Sequence, residues 1–175
     1  MAINLIASQE FDGIAAANDL TFVMVSEAAQ EVSALRSTVD GERVVVPVSL
    51  AEHVRTGRLE ITELAHDELA LFVKYAAEVD DGEAATIAVA AARSMPLATD
   101  DKKAHRLCIS TGLPQPVRTS ALLRAYTERA GRTPKEISRL LRAIDEQASF
   151  VPPRVDPEQK WWMEHLSLDP RREFC

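Results

Sequence analysis

The stretch DDGEAATIAVAAARSMPLATDD, residues 80–101, sets the fold class of this chain. Its opening Asp-Asp-Gly ends the preceding helix, and the small residues of 83–93 predict a helix that other elements can approach closely. The apolar residues 96–99 then predict a short strand, and the paired aspartates 100–101 begin the next helix. Helix, strand and helix thus follow one another within one stretch, which is the order typical of α/β domains.

The same alternation extends along the chain on both sides of this stretch. Strands are predicted at 21–25, 43–48, 59–62 and 115–118. Further helices are predicted at 9–18, 26–36, 50–56, 62–79, 119–130 and 134–148. The pattern predicts one α/β domain over residues 1–150 with a mostly parallel sheet. Residues 151–175 are predicted to form an extended tail that docks on the domain through Trp161 and Trp162, because two exposed tryptophans in a row would be costly.

Composition excludes several classes of protein. Apolar residues make up 46% of the 175 residues and charged residues 27%, the balance of a soluble globular chain. No apolar run approaches the roughly 20 residues of a membrane span, and the first residues do not resemble a secretory leader. Cys108 and Cys175 are too few for a disulfide framework, so we expect a cytoplasmic protein. The four histidines are scattered, and we interpret them as surface residues.

Charge is distributed unevenly along the sequence. Residues 1–101 carry 6 basic and 18 acidic side chains, residues 102–142 carry 10 and 2, and residues 143–175 carry 4 and 7. An acidic half followed by a basic block suggests adjoining sites for a cation and a polyanion. The alternative is that the arginines form solvated faces of helices.

Four acids fall where predicted strands give way to helices, which is where open parallel sheets bind ligands. They are Glu31, Glu83, Asp100 and Asp101. Converging carboxylates suit Mg²⁺ or Mn²⁺, which would activate water and neutralise a phosphodiester in the transition state. Alternatively, such acids cap helices and are stabilised by the positive end of the helix dipole. Lys102, Lys103 and Arg106 could also neutralise the aspartate pair, so these residue types do not compel a metal.

The residues DDGEAATIAVA at 80–90 and PLATDDKKA at 96–104 resemble the second half of a PIN-domain ribonuclease, with the closer match to relatives of the VapC-type toxins. VSEAAQEV at 25–32 is similar to the family segment with its second acid, and INLIAS at 3–8 to the end of its first strand and the start of its first helix. The resemblance covers residues 3 to about 125 and implies a three-layer α/β/α fold.

Carried over to this sequence, the resemblance implies that the acids Glu31, Glu83, Asp100 and Asp101 are catalytic and hold Mg²⁺ or Mn²⁺. Asp101 is favoured as the principal ligand of the aspartate pair, because the family spacing is Thr-x-Asp. Supporting roles fall to Thr99 and Arg106. The RNA-binding residues would be Lys102, Lys103, Arg124, Arg132, Arg139 and Arg142.

The implied activity is metal-dependent endoribonuclease cleavage of single-stranded RNA. The resemblance also implies a toxin of a toxin–antitoxin module. Such a protein would form a homodimer and bind an antitoxin protein. One departure bears on this activity: the family's first aspartate corresponds to a position before Met1, and residues 1–9 contain no acid. Either the coding start lies upstream, or the chain is a catalytically degenerate PIN-like module that binds RNA or protein. A third hypothesis is that the acids bind an unrelated small molecule.

Overall fold

The computed structural model describes residues 1–39 and 42–168. The chain folds into two compact units. The first unit comprises residues 1, 21–33 and 49–119, and the second comprises residues 2–20, 34–48 and the chain from 120 onward. The described residues form a mixed α/β structure with a small parallel sheet, so the α/β class is confirmed. No helix within the described ranges is both long enough and apolar enough to span a bilayer.

The first unit is built around a short parallel pair of strands. Strand β1 (Phe22–Val25) pairs in parallel with β4 (Leu59–Thr62), with Phe22 opposite Leu59 and Val25 opposite Thr62. A single parallel bridge joins Ala98 to Val117. The helices of this unit are α3 (Ser26–Glu31), α4 (Ala51–Arg55), α5 (Leu69–Ala76), α6 (Asp81–Ala92) and α7 (Lys102–Ser110), with a 3-10 turn at His66–Glu68.

Helix α6 is the centre of the first unit, as its small residues predict. Ala84, Ala85 and Ala88 are fully buried, and α3 and α5 both pack against this helix. Val25 at the end of β1 joins Ala85 in one of the apolar clusters. Cys108 lies fully buried in another. The alanines therefore allow the neighbouring helices to approach α6 closely.

The second unit is mainly helical. Its elements are α1 (Ala2–Ala7), α2 (Phe11–Ala17), the antiparallel strands β2 (Ala34–Val39) and β3 (Glu42–Pro47), α9 (Pro134–Ala148) and α10 (Gln159–Leu166). Helix α8 (Thr119–Arg129) begins with the last residue of the first unit.

Two features of the second unit follow from local sequence. Thr133 caps α9 by a reciprocal pair of bonds with Glu136, and Pro134 occupies the first turn, where its missing N–H costs nothing. Trp162 is 0% exposed and meets the Phe150 ring edge-on at 5.7 Å. Residues 159–166 are helical rather than extended.

Several sequence predictions are wrong in detail. The helix predicted at 26–36 ends at Glu31, and residues 34–39 pair instead with 42–47, so β3 lies outside the parallel sheet. Cross-strand pairing there overrides local helical spacing. The helix predicted at 62–79 begins only at Leu69, and the strands predicted at 96–99 and 115–118 reduce to one bridge. Residues 2–7 are helical throughout, without the expected strand end. Asp40-Gly41, whose residue types predict a turn, lies outside the described residues.

Candidate functional site

Glu83 lies among three other carboxylates of the first unit. Burial raises the pKa of its half-buried carboxyl, and the negative charges of Asp101, Asp80 and Glu31 raise it further. The α-ammonium group of Met1 acts in the opposite direction. Four acids separated along the chain therefore share one electrostatic environment, in which a positive charge would relieve their repulsion.

The starts and ends of three helices place these acids. Glu31 is the last residue of α3, and Glu83 lies in the first turn of α6. Asp80 occupies the N-cap position of α6 with extended backbone, and its side chain makes no capping hydrogen bond within the described residues. Asp101 caps α7. Packing of α3 on α6 brings the end of one helix to the start of the other. The sequence prediction did not include Asp80 in the site, although its place directly before Asp81-Gly82-Glu83 was a usable signal.

Gly82 allows the Glu31 carboxylate to approach the first turn of α6. A Cβ atom on residue 82 would lie 2.5 Å from Oε1 of Glu31 and 2.8 Å from its Cδ. Both distances are shorter than real Cβ contacts, so a side chain here would displace the carboxylate. Gly82 is therefore a second site residue that the sequence prediction missed, and only a tertiary contact reveals its role.

Asp101 combines a capping role with its place beside Glu83. Its Oδ1 accepts hydrogen bonds from the backbone N–H groups of Lys103 at 2.6 Å and Ala104 at 2.9 Å. Its own N–H donates to Oγ1 of Thr99 at 3.1 Å, which gives Thr99 a supporting part. Capping explains the position of Oδ1 without a metal. Both capping bonds use the same oxygen, so capping and ligation are compatible.

Asp100 has different partners from Asp101. Its Oδ1 accepts from the N–H of Thr119 at 2.9 Å and its Oδ2 from the Thr119 hydroxyl at 2.5 Å. The amino nitrogen of Met1 lies 3.8 Å from Oδ2. The two adjacent aspartates thus make contacts at two different helix starts, α8 for Asp100 and α7 for Asp101.

The acids near Glu83 have the donor atoms that a hard cation prefers, but they are not arranged as a metal site. Carboxylate oxygens are the ligands that Mg²⁺ and Mn²⁺ prefer. Across residues 1–39 and 42–168, however, no three His, Cys, Asp or Glu side chains are arranged to hold a metal ion.

Three of the predicted RNA-binding arginines form ion pairs or hydrogen bonds with other residues of the second unit. Arg124 pairs with Glu128 at 2.9 Å and also with Glu158. Arg142 donates to two carbonyl oxygens, that of Leu166 at the end of α10 at 3.0 Å and that of Leu168 just after it at 2.9 Å.

Arg132 is the third of these arginines. It pairs with Glu10 at 3.1 Å and Glu136 at 3.4 Å, and it donates to the hydroxyl of Tyr126. Its charge therefore stabilises contacts within the second unit.

The other predicted cations are exposed. They are Lys102, Lys103, Arg106 and Arg139. Within the described residues, none of these four forms an ion pair with a carboxylate. The basic block of the sequence therefore divides into internal arginines and accessible cations.

His105 is buried, which corrects its interpretation as a surface residue. Its side chain is 8% exposed, and its Nε2 has no hydrogen-bond partner among the described residues. Burial, and secondarily the charge of Arg118, lowers the pKa of this imidazole. His105 is therefore neutral in the folded protein at neutral pH.

Comparisons with family models, curated proteins and solved structures found no match to this chain.

Proposed function

We propose that this chain is a PIN-type, metal-dependent endoribonuclease that hydrolyses phosphodiester bonds in single-stranded RNA, with a three-layer α/β/α fold. The observation that carries the proposal is the position of Glu83 among the carboxylates of Asp101, Asp80 and Glu31. Like charges held close together cost stability unless a cation joins them. The Gly-Glu-Ala and Thr-Asp-Asp motifs supply two of these four acids.

Mg²⁺ or Mn²⁺ is the proposed cofactor, and when bound it would activate water and offset charge on the phosphate. Glu83, Asp101, Glu31 and Asp80 would hold it. Asp100 is the remaining predicted ligand, and its bonds to Thr119 favour a role in fixing the segment before α7. Thr99 would support the site by accepting the Asp101 N–H.

The wider biological assignment rests on the sequence resemblance. It comprises a toxin of a toxin–antitoxin module, a homodimer, an antitoxin partner and a cytoplasmic location. These parts of the proposal need separate tests, by co-purification and by measurement of solution mass.

A second candidate function is a PIN-like binding module without catalysis. It is favoured by the hydrogen bonds that the two aspartates already make, since Asp100 binds Thr119 and Asp101 caps α7. It is also favoured by the lack of a three-residue metal arrangement in the described residues. Such a module would bind RNA or protein with the same surface and leave the RNA intact.

The deciding experiment is cleavage of end-labelled single-stranded RNA with Mn²⁺ or Mg²⁺, and with EDTA as the blank. We expect metal-dependent cleavage by the wild-type chain and loss of at least a hundredfold in Glu83→Gln and Asp101→Asn. Asp81→Asn is the control, because Asp81 is an exposed acid in the same turn of α6. Intact RNA in every reaction, with binding retained, would establish the second candidate instead.

A further inference from the structure

We propose that Arg93, acting through Thr62, is a positioning residue for the carboxylate of Glu31. Arg93 directly follows the last residue of α6, whereas Glu83 lies in the first turn of that helix. The helix between them is about 15 Å long, at roughly 1.5 Å per residue, so Arg93 can act on the acids only through other residues. The inference rests on the proposed function in one respect, because it concerns an acid that would hold the metal.

The guanidinium of Arg93 holds the segment that follows β4. Its Nε donates to Oε1 of Glu68 at 2.7 Å and its Nη2 to Oε2 at 2.9 Å, and this glutamate is only 3% exposed. Nη1 donates to the Thr62 hydroxyl at 2.9 Å, and Nη2 also donates to the carbonyl oxygen of Glu63 at 3.0 Å. The end of β4 is therefore fastened to the end of α6.

Glu68 keeps the guanidinium in place, because a buried carboxylate needs a positive partner. Hydrogen bonds from Arg93 and from the N–H of Ala65 hold the pKa of Glu68 below its usual range. The carboxylate is thus ionised at neutral pH, and its two oxygens orient the planar guanidinium. A lysine at position 93 would supply the charge without this fixed fork of donors.

Thr62 connects this network to α3. Its hydroxyl accepts from Arg93, and its carbonyl oxygen accepts from the hydroxyl of Ser26 at 3.1 Å. Ser26 is the first residue of α3, and Val25 directly before it lies opposite Thr62 in the parallel sheet. One residue at the end of β4 thus holds both the end of α6 and the start of α3.

Helix α3 is in this way fixed against α6 at both of its ends. Thr62 joins its start to the end of α6, and its last residue, Glu31, lies against Gly82 at the start of α6. The six residues of α3 all lie within the described range 1–39, and none of them is buried. A helix this short depends on contacts outside itself. A shift at the Thr62 end therefore displaces the Glu31 carboxylate at the other end.

The test separates the position of α3 from the charge pair. Thr62→Val removes the hydroxyl and keeps the shape of the side chain, and Thr62→Ser is its matched control because it keeps the hydroxyl. Arg93→Lys keeps a positive charge for Glu68 and loses the fork. In the metal-free protein, the nuclear Overhauser effect between the γ protons of Glu31 and the α protons of Gly82 reports their contact. Calorimetric titration gives the Kd for Mn²⁺, and urea unfolding gives the stability.

We expect Thr62→Val and Arg93→Lys to weaken the Overhauser effect and to raise the Kd for Mn²⁺ by about tenfold, the loss typical of a missing supporting contact. Thr62→Ser should resemble the wild-type protein in both measurements. An unchanged Overhauser effect in Thr62→Val and Arg93→Lys would overturn the inference whatever their Kd, because the network would then support the fold without moving Glu31. An equal loss in Thr62→Ser would also overturn it, since the hydroxyl would not be the cause.

Failure of the proposed function has a different signature. A wild-type protein that binds neither Mn²⁺ nor Mg²⁺ would remove the metal site, and the Overhauser effect would still decide whether Arg93 positions Glu31. Loss of the Overhauser effect in Thr62→Val with an unchanged Kd would support the positioning of Glu31 and remove Glu31 from the metal ligands.

Discussion

Oε1 of Glu31 lies 2.5 Å from the position that a Cβ atom would take on Gly82. The carboxylate at the end of α3 therefore depends on the missing side chain at the start of α6. This contact connects two segments that lie far apart in the sequence. A substitution at Gly82 can therefore move an acid of the site without lowering the stability of α6.

Gly82→Ala should move Glu31 while leaving the fold intact. Alanine is favoured over glycine in a helix by about 0.8–1 kcal/mol, and the displaced group is the end of an exposed, flexible side chain. We expect unchanged or higher stability in urea, and Mn²⁺ affinity lowered by about tenfold in calorimetric titration, the loss typical of a disturbed supporting contact. In a Glu31→Ala background the same substitution should cause no further loss of affinity. A further loss there would show that Gly82 acts through another group.

Glu83→Gln should stabilise the metal-free protein near neutral pH. The pKa of Glu83 is raised in the folded state, chiefly by burial, so the folded state binds the proton more tightly than the unfolded state does. Wild-type stability is therefore lost as the pH rises through the ordinary range of a glutamate and up to the raised pKa. The variant should unfold at higher urea than wild type at pH 7 and at a similar urea concentration at pH 4. A destabilised variant at pH 7 would contradict the shared environment of the four acids.

Addition of Mn²⁺ gives this measurement a second use. A cation that binds only the folded state raises its stability, by about 2.7 kcal/mol at a hundred times its Kd. The wild-type protein should gain stability with Mn²⁺, and Glu83→Gln should gain much less.

His105 should make the protein less stable in mild acid. Its pKa is lowered in the folded state, mainly by burial, below the unfolded value of 6.5. The unfolded state then binds more protons, so stability is complete above about pH 6.5 and falls as the pH drops towards the lowered pKa. His105→Leu should flatten the urea midpoint over this range, whereas His66→Leu, at an exposed position, should not. The same slope in both variants would assign the effect to other groups.

Arg142→Ala should lower stability and leave RNA binding unchanged. The guanidinium donates two hydrogen bonds to carbonyl oxygens at and just after the end of α10, and bonds to a charged donor are worth about 1.5–3 kcal/mol. Arg139→Ala on the same helix is exposed and should change the unfolding free energy by under about 0.5 kcal/mol. Weaker RNA binding in Arg142→Ala at a temperature where it remains folded would argue for a direct role.

Local sequence patterns predicted the parts of this fold that local forces determine. Thr133 and Pro134 begin a helix because a cap and a preset φ angle suffice there, and Asp101 does the same for α7. The alanines of α6 predicted close packing because small side chains permit it. Residues 34–39 were predicted wrongly because their pairing with 42–47 decides their conformation.

The sequence predicted which acids belong to the site better than it predicted the contacts between them. Glu83 and Asp101 stand in recognisable motifs, and the charge of Asp101 helps to raise the pKa of Glu83. The role of Gly82 depends on the packing of α3 against α6, which spacing along the chain does not encode. Asp80, by contrast, could have been found from its place three residues before Glu83. The charge count by segment suggested a free basic block at residues 102–142. Arg132 in that block instead pairs with Glu10, 122 positions away.

Both tryptophans of the chain, Trp161 and Trp162, lie on helix α10 in the second unit. Intrinsic fluorescence excited at the indole band therefore reports on that unit alone, and melting confined to the unit with the four acids would be invisible to it. Circular dichroism sees the helices of both units. Coincident transitions by the two optical probes would show that the units unfold as one cooperative system, and separated transitions would measure the stability of each.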